Sequence, residues 1–131
     1  MAADNVQLIK DAYAALLERG DLEGFINYFA DDGALLEADS LPYGGRHVGH
    51  DAIRSALQEI GGKFSAFSFK PDVYATSGEW VIAYGTFSAT ARESGKTATF
   101  PLAEATQIVD GKIKLIHPIY GDTVAIIDIL R

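Results

Sequence analysis

The sequence predicts an α+β domain in which helices come first and a long, mostly antiparallel sheet follows. Three observations carry that prediction. Ahead of the Gly61-Gly62 pair apolar residues recur at spacings of three and four. After that pair the chain alternates apolar with small or polar residues, the period of a strand. Turn dipeptides, Ser94-Gly95 and Asp110-Gly111, divide that second part into hairpins. Helices followed by a run of strands read as α+β rather than as alternating βαβ units.

Taken in order, Val6, Ile9, Tyr13, Leu16 and Leu17 form the apolar stripe of a helix over residues 4–19, ended by Gly20. Asp21 is placed to cap a short second helix with Leu22, Phe25, Ile26 and Phe29 on its apolar side. Asp31-Asp32-Gly33 reads as a turn, Ala34 to Asp39 as a short strand, and Leu41-Pro42-Tyr43-Gly44-Gly45 as a loop. A third helix runs from Asp51 to Ile60, stopped by Gly61-Gly62. Strands are expected over 64–70, 79–93, 97–109, 112–120 and 123–130, the last closing the sheet.

The chain's 131 residues suffice for one core, so residues 1–131 are read as a single domain. Apolar residues make up 48 %, which excludes disorder. The absence of Cys removes disulfides, thiolate chemistry and Cys-based zinc sites. The stretch Met1 to Asn5 lacks the basic flank and apolar core of a signal peptide. A net charge of −7 disfavours nucleic acid and anionic lipid as partners. The expectation is a cytoplasmic protein, outside any membrane, with a small-molecule or protein partner.

Glu104 is the outstanding residue. Period two puts Phe100, Leu102, Glu104, Thr106 and Ile108 on one face, a carboxyl among apolar neighbours. Such a group is costly unless it is paired or stays protonated. A two-residue turn at Asp110-Gly111 sets Val109 opposite Lys112, Ile108 opposite Ile113 and, continued without a bulge, Glu104 opposite His117. Glu37 and Asp39 share a face with Leu35, and Tyr13 lies on the apolar stripe of the first helix. Asp122, after Tyr120-Gly121, reads as an acid or base at a strand end or as a turn residue. His47, His50 and His117 lack the close spacing of a zinc motif, so no metal is expected. Ser65 and Ser68 have no nucleophile-elbow context.

The stretches Tyr13-Ala14-Ala15-Leu16, Gly20-Asp21-Leu22-Glu23-Gly24 and Phe29-Ala30-Asp31-Asp32 resemble the opening of bacterial ketosteroid isomerases. The loop Leu41 to Gly49 and the ending Tyr120-Gly121-Asp122-Thr123 are similar to the wider SnoaL-like group of the nuclear-transport-factor-2-like superfold. That resemblance implies a curved sheet wrapped by three helices around a cone-shaped apolar pocket, often in a homodimer, with no cofactor. It also implies an oxyanion hole and a carboxylate base. By position, the oxyanion tyrosine falls on Tyr13, the oxyanion acid on Glu104 and the base on Glu37, or on Asp39 because the loop after the early strand is longer here. In the ketosteroid isomerases that acid is kept neutral by apolar surroundings, so that it can donate a hydrogen bond. Both carboxyls are Glu here where the isomerases carry Asp. A protonated His117 beside Glu104 would instead favour a His-carboxylate acid-base pair, as in a dehydratase-like or cyclase-like site. The residues expected to line the pocket and hold the ligand are Leu16, Phe25, Phe29, Leu57, Phe87, Phe100, Leu102, Ile119 and Asp122. The implied function is proton abstraction α to a carbonyl of an apolar small molecule, and the alternative is a binding module without chemistry.

Overall fold

The computed structural model describes residues 2–131; Met1, the first residue of the predicted domain and of the stretch read for a signal peptide, lies outside the described residues. The first helix, α1 (Ala2–Tyr13), runs on into one π turn over Ala14–Glu18. Asp21 then caps α2 (Leu22–Ile26), its carboxylate accepting from the Gly24 N–H at 2.9 Å. Strands β1 (Phe29–Glu37) and β2 (Gly45–Val48) follow, then α3 (His50–Lys63). Four long strands come next: β3 (Phe64–Ser77), β4 (Trp80–Ala91), β5 (Thr97–Val109) and β6 (Lys112–Tyr120). A last helix, α4 (Thr123–Ile129), ends the chain.

The strands form one sheet in the order β2-β1-β6-β5-β4-β3, antiparallel throughout except for the parallel pair β1 and β6. The predicted α+β class and curved, mostly antiparallel sheet are observed. Register shifts between Phe64 and Ala66, between Pro71 and Val73, and between Gln107 and Ile108 supply the bends that curve such a sheet. Gly85 stands opposite Pro71 at one of them, where an added Cβ would run into the Lys70 carbonyl oxygen. The inner face holds one core of Ile9, Phe25, Ile26, Phe29, Leu35, Val81, Leu102 and Ile116 under α1 to α3. A second core, with Phe64, Ala89, Phe100, Ile126 and Ile129, lies under α4.

Several local predictions are corrected. Phe29 opens β1 instead of closing α2, and Asp31-Asp32-Gly33 is carried inside that strand as an irregular stretch. A Cβ on Gly33 would sit 2.7 Å from the Ile113 carbonyl oxygen, so the close approach of β6 explains the glycine. The Gly61-Gly62 pair continues α3 to Lys63, because the Arg92 guanidinium donates to the carbonyls of Gly61, Gly62 and Phe64 at 3.0–3.2 Å. The hairpin at Ser94-Gly95 is longer than two residues and is closed by the Ala91 N–H on Lys96 O at 2.9 Å. Residues 123–129 are helical and Leu130 caps them, so the predicted sheet-closing strand over 123–130 does not form. Their β-branched composition hides a three-residue spacing that buries Ile126 and Ile129 while Val124 faces solvent.

Candidate active site

A cavity of about 380 Å³ lies between the two cores. Of the residues expected to line it, Leu16, Phe25, Leu57, Phe87 and Leu102 do, as do Tyr13, Glu37 and Glu104. Its walls also include Leu35, Tyr43, Phe64, Phe69, Ile116 and Tyr120. Gly20, Gln58 and Gly61 are exposed where the cavity meets the surface. The π turn carries Leu16 and Leu17 to that opening directly after Tyr13; such turns recur at functional sites because they displace side chains from ordinary helical positions.

The polar groups form two clusters. In the first, Tyr13 from α1 meets Glu104 and Thr106 from β5. The Tyr13 ring is fixed edge-on against Phe69 at 5.7 Å. The Tyr13 and Thr106 hydroxyls are buried without a hydrogen-bond partner of good geometry. Tyr13 and Glu104 nonetheless lie close enough to bias each other's protons. Burial pushes the Glu104 carboxyl up to about 7, with Tyr13 pulling it partway back. Burial, and next the Glu104 charge, hold the Tyr13 phenol well above its ordinary value.

In the second cluster Glu37, the last residue of β1, is 4 % exposed. Its Oε1 accepts a hydrogen bond from the Tyr120 hydroxyl at 2.8 Å. The Tyr43 hydroxyl adjoins that of Tyr120, and each shifts the other's titration. Burial raises Glu37 to about 7; the Tyr120 hydrogen bond opposes that rise and the Glu104 charge adds to it. None of the lining residues is Lys, Arg or His. Buried carboxyls with no cation nearby keep their protons to unusually high pH.

Six predicted site residues stand elsewhere. The register shift between Gln107 and Ile108 sets Glu104 opposite Pro118 and His117 opposite Ala105. One extra residue in a strand turns every later side chain to the other face. His117 and Ile119 therefore leave the cavity side, Ile119 being 52 % exposed, and no Glu104-His117 pair forms. Asp39 is exposed in the turn after β1, so of the two base candidates only Glu37 reaches the cavity. Asp122 caps α4 by accepting from the Ala125 N–H at 3.1 Å. Phe29 is buried in the first core against Phe25, and Phe100 packs behind the wall against Phe87 and Tyr120. Tyr43 and Tyr120 were missed as site residues. Tyr43 sits in what reads as an ordinary Pro-Gly loop, and the bulge that turns Tyr120 inward leaves no local mark in sequence. His47 and His50 donate to the backbone carbonyls of Tyr43 and Phe29, each at 3.0 Å. Among the described residues no group of three or more His, Cys, Asp or Glu is arranged to hold a metal ion, and no helix is long and apolar enough to cross a membrane.

Comparison with known proteins yields matches to a domain family and to solved structures, whereas no curated protein matches. An NTF2-like protein of unknown function from Burkholderia pseudomallei is 26 % identical, with a TM-score of 0.89 and 96 % of each chain covered. TerC, co-crystallized with polyporic acid, is also 26 % identical, with a TM-score of 0.87 over 96 % of this chain and 97 % of TerC. A putative polyketide cyclase from Xanthomonas campestris shares the fold at 21 % identity and a TM-score of 0.82, with 97 % of this chain and 96 % of that one covered. The family described as the SnoaL-like domain matches residues 10–116. With that match spanning Tyr13, Glu37 and Glu104 on a curved six-stranded sheet, the chain belongs to the SnoaL-like domain family.

Proposed function

We propose that the protein is a cofactor-free acid-base enzyme acting on an apolar, carbonyl-bearing small molecule. The observation that carries this reading is one apolar cavity lined by two carboxyls, Glu37 buried and Glu104 half-buried, each titrating near neutrality and each beside a tyrosine. In the reaction Glu37, as carboxylate, takes the proton α to the carbonyl. The electron pair moves onto the carbonyl oxygen, which Tyr13 and protonated Glu104 receive as donors. The proton returns to a conjugated carbon and the enzyme is regenerated. Donors fixed in place before charge develops contribute most where water is excluded. The unpartnered Tyr13 hydroxyl supports the donor role, because a ligand oxygen would supply its missing acceptor. With His117 on the other face, no cation beside Glu104 forces that carboxyl to ionise. That TerC was co-crystallized with polyporic acid, a small organic molecule, supports a small-molecule partner for this chain.

The reading also extends to assembly as a homodimer. Val73, Tyr84, Ala103 and Ile119 lie on one rung across the outer sheet face, and Val73, Tyr84 and Ile119 are 51 %, 49 % and 52 % exposed. A second copy would cover that strip, and sedimentation of the wild type against Tyr84→Glu tests it.

The enzyme reading is tested by titrating a phenol, as enolate mimic, into the wild type and the Tyr13→Phe, Glu104→Gln and Glu37→Gln variants. Conjugated ketones are then screened for turnover. Tyr13→Phe and Glu104→Gln should weaken the phenol. Each should also cost on the order of a hundredfold in kcat. Glu37→Gln should abolish turnover while phenol still binds. Unchanged phenol affinity in both donor variants overturns the oxyanion role, and phenol binding without turnover of any ketone favours a binding module.

A further inference from the structure

The base of this site lies at the end of a strand, on a side chain with three free torsions, and the cavity must hold it still. Tyr120 is the last residue of β6 and stands opposite Leu102 of β5. Its ring is edge-on to Phe87 at 5.7 Å and to Phe100 at 5.9 Å, and those two stack on each other at 5.4 Å. Packing edge-on against both rings restricts the Tyr120 side chain in its observed position. That position delivers its hydroxyl to Glu37 Oε1 at 2.8 Å. Tyr43, 3 % exposed and edge-on to Phe64 at 6.4 Å, lies in the turn after β1 near enough to Tyr120 for the two hydroxyls to shift each other's titration.

We propose that Tyr120 is the positioning residue of Glu37: its hydroxyl holds one carboxylate oxygen and leaves the other to face the substrate, with Tyr43 steadying Tyr120 from behind. The inference rests on the acid-base reading of the same cavity. It gives Phe100 a place as well, as the ring that locks Tyr120 from behind the wall. The donor is the phenol, since burial and next the Glu37 charge keep Tyr120 from ionising. A hydrogen bond to the charged form of a carboxyl favours that form, so Tyr120 also keeps Glu37 ionised at lower pH than burial alone would allow. The other titratable groups facing this cluster are Glu104 from β5, which raises Glu37, and Glu59 from α3, which acts on Tyr43. A glutamate has one more torsion to restrain than an aspartate, and a base held loosely loses much of the advantage of proximity.

The test follows the Glu37 and Glu104 carboxyls by carbon NMR in the ligand-free protein, labelled at glutamate and assigned through Glu37→Gln and Glu104→Gln. In Tyr120→Phe the Glu37 midpoint should rise above about 7. The expected rise is about one pH unit, the lower end of what a hydrogen bond to a charged group is worth. Tyr43→Phe should move it less, in the same direction. With a turned-over ketone, kcat of Tyr120→Phe should fall with little change in KM, and its acid limb should move to higher pH by the same interval. Should Tyr120→Phe not fold, 3-fluorotyrosine placed at position 120, a stronger donor of nearly the same shape, should lower the midpoint. A Glu37 midpoint that stays put in folded Tyr120→Phe, or with the fluorinated ring, overturns the inference. An unmoved midpoint counts against the positioning role alone; a moved midpoint without turnover of any ketone counts against the enzyme reading alone.

Discussion

Replacing Glu104 by Gln should flatten the decline of stability with rising pH, and the size of the effect follows from the burial of the carboxyl. The folded protein holds the Glu104 proton up to about 7, against an ordinary value of 4.5. Between those values the native state binds more protons than the unfolded chain, so unfolding becomes easier as pH rises. The contribution is fully present below 4.5 and is lost by the time pH has passed about 7. At 1.36 kcal/mol per pH unit the loss is about 3 kcal/mol, a sizeable part of the total stability of a domain this small. Glu37 behaves the same way over the same window, and part of its rise comes from the Glu104 charge. Glu104→Gln should therefore remove more than half of the combined decline, and the double variant with Glu37→Gln should remove nearly all of it. Asp32 and Glu23, paired with Lys114 and Arg54, are lowered instead, so their contribution is lost only in more acidic solution. Urea unfolding at half-unit steps from pH 4.5 to 8.5, with constant m-values, measures this directly. A wild type equally stable at both ends, or a Glu104→Gln slope equal to that of the wild type, would refute the protonated state of the carboxyl.

Three further outcomes are expected. Tyr13→Phe should leave the melting temperature unchanged or raise it, because the lost hydroxyl is buried without a partner, while it weakens phenol binding; calorimetry and titration on one sample check both. His117→Ala should bind phenol within about twofold of the wild type, since the bulge places His117 away from the cavity; this is within the scatter of surface substitutions. Gly85→Ala should cost about 1–3 kcal/mol in denaturant unfolding, because the new Cβ meets the Lys70 carbonyl oxygen where β3 and β4 pair too closely to yield.

The sequence by itself determined the class, the order of helices before sheet, the Asp21 cap, and the β5 face that carries Glu104. These features rest on local spacing, which composition and turn residues report faithfully. Tyr13 and Glu37 were also legible, though their roles came by resemblance and not from their own neighbourhoods. The Asp110-Gly111 turn has both residues at positive φ, 51° and 75°, and pairs Val109 with Lys112 and Ile108 with Ile113 as expected. Only the tertiary structure decided the pairing beyond Ile113. The bulge at Lys114 of β6, left unpaired between the Gln107–Leu115 and Ile108–Ile113 pairs, answers to sheet curvature, a property of six strands together, so no local pattern announces it. That one residue sends His117 and Ile119 outward and brings Pro118 and Tyr120 in. Glu104 thereby loses a cation, Glu37 gains a donor, and the charge on both carboxyls passes from a question of sequence neighbours to one of burial.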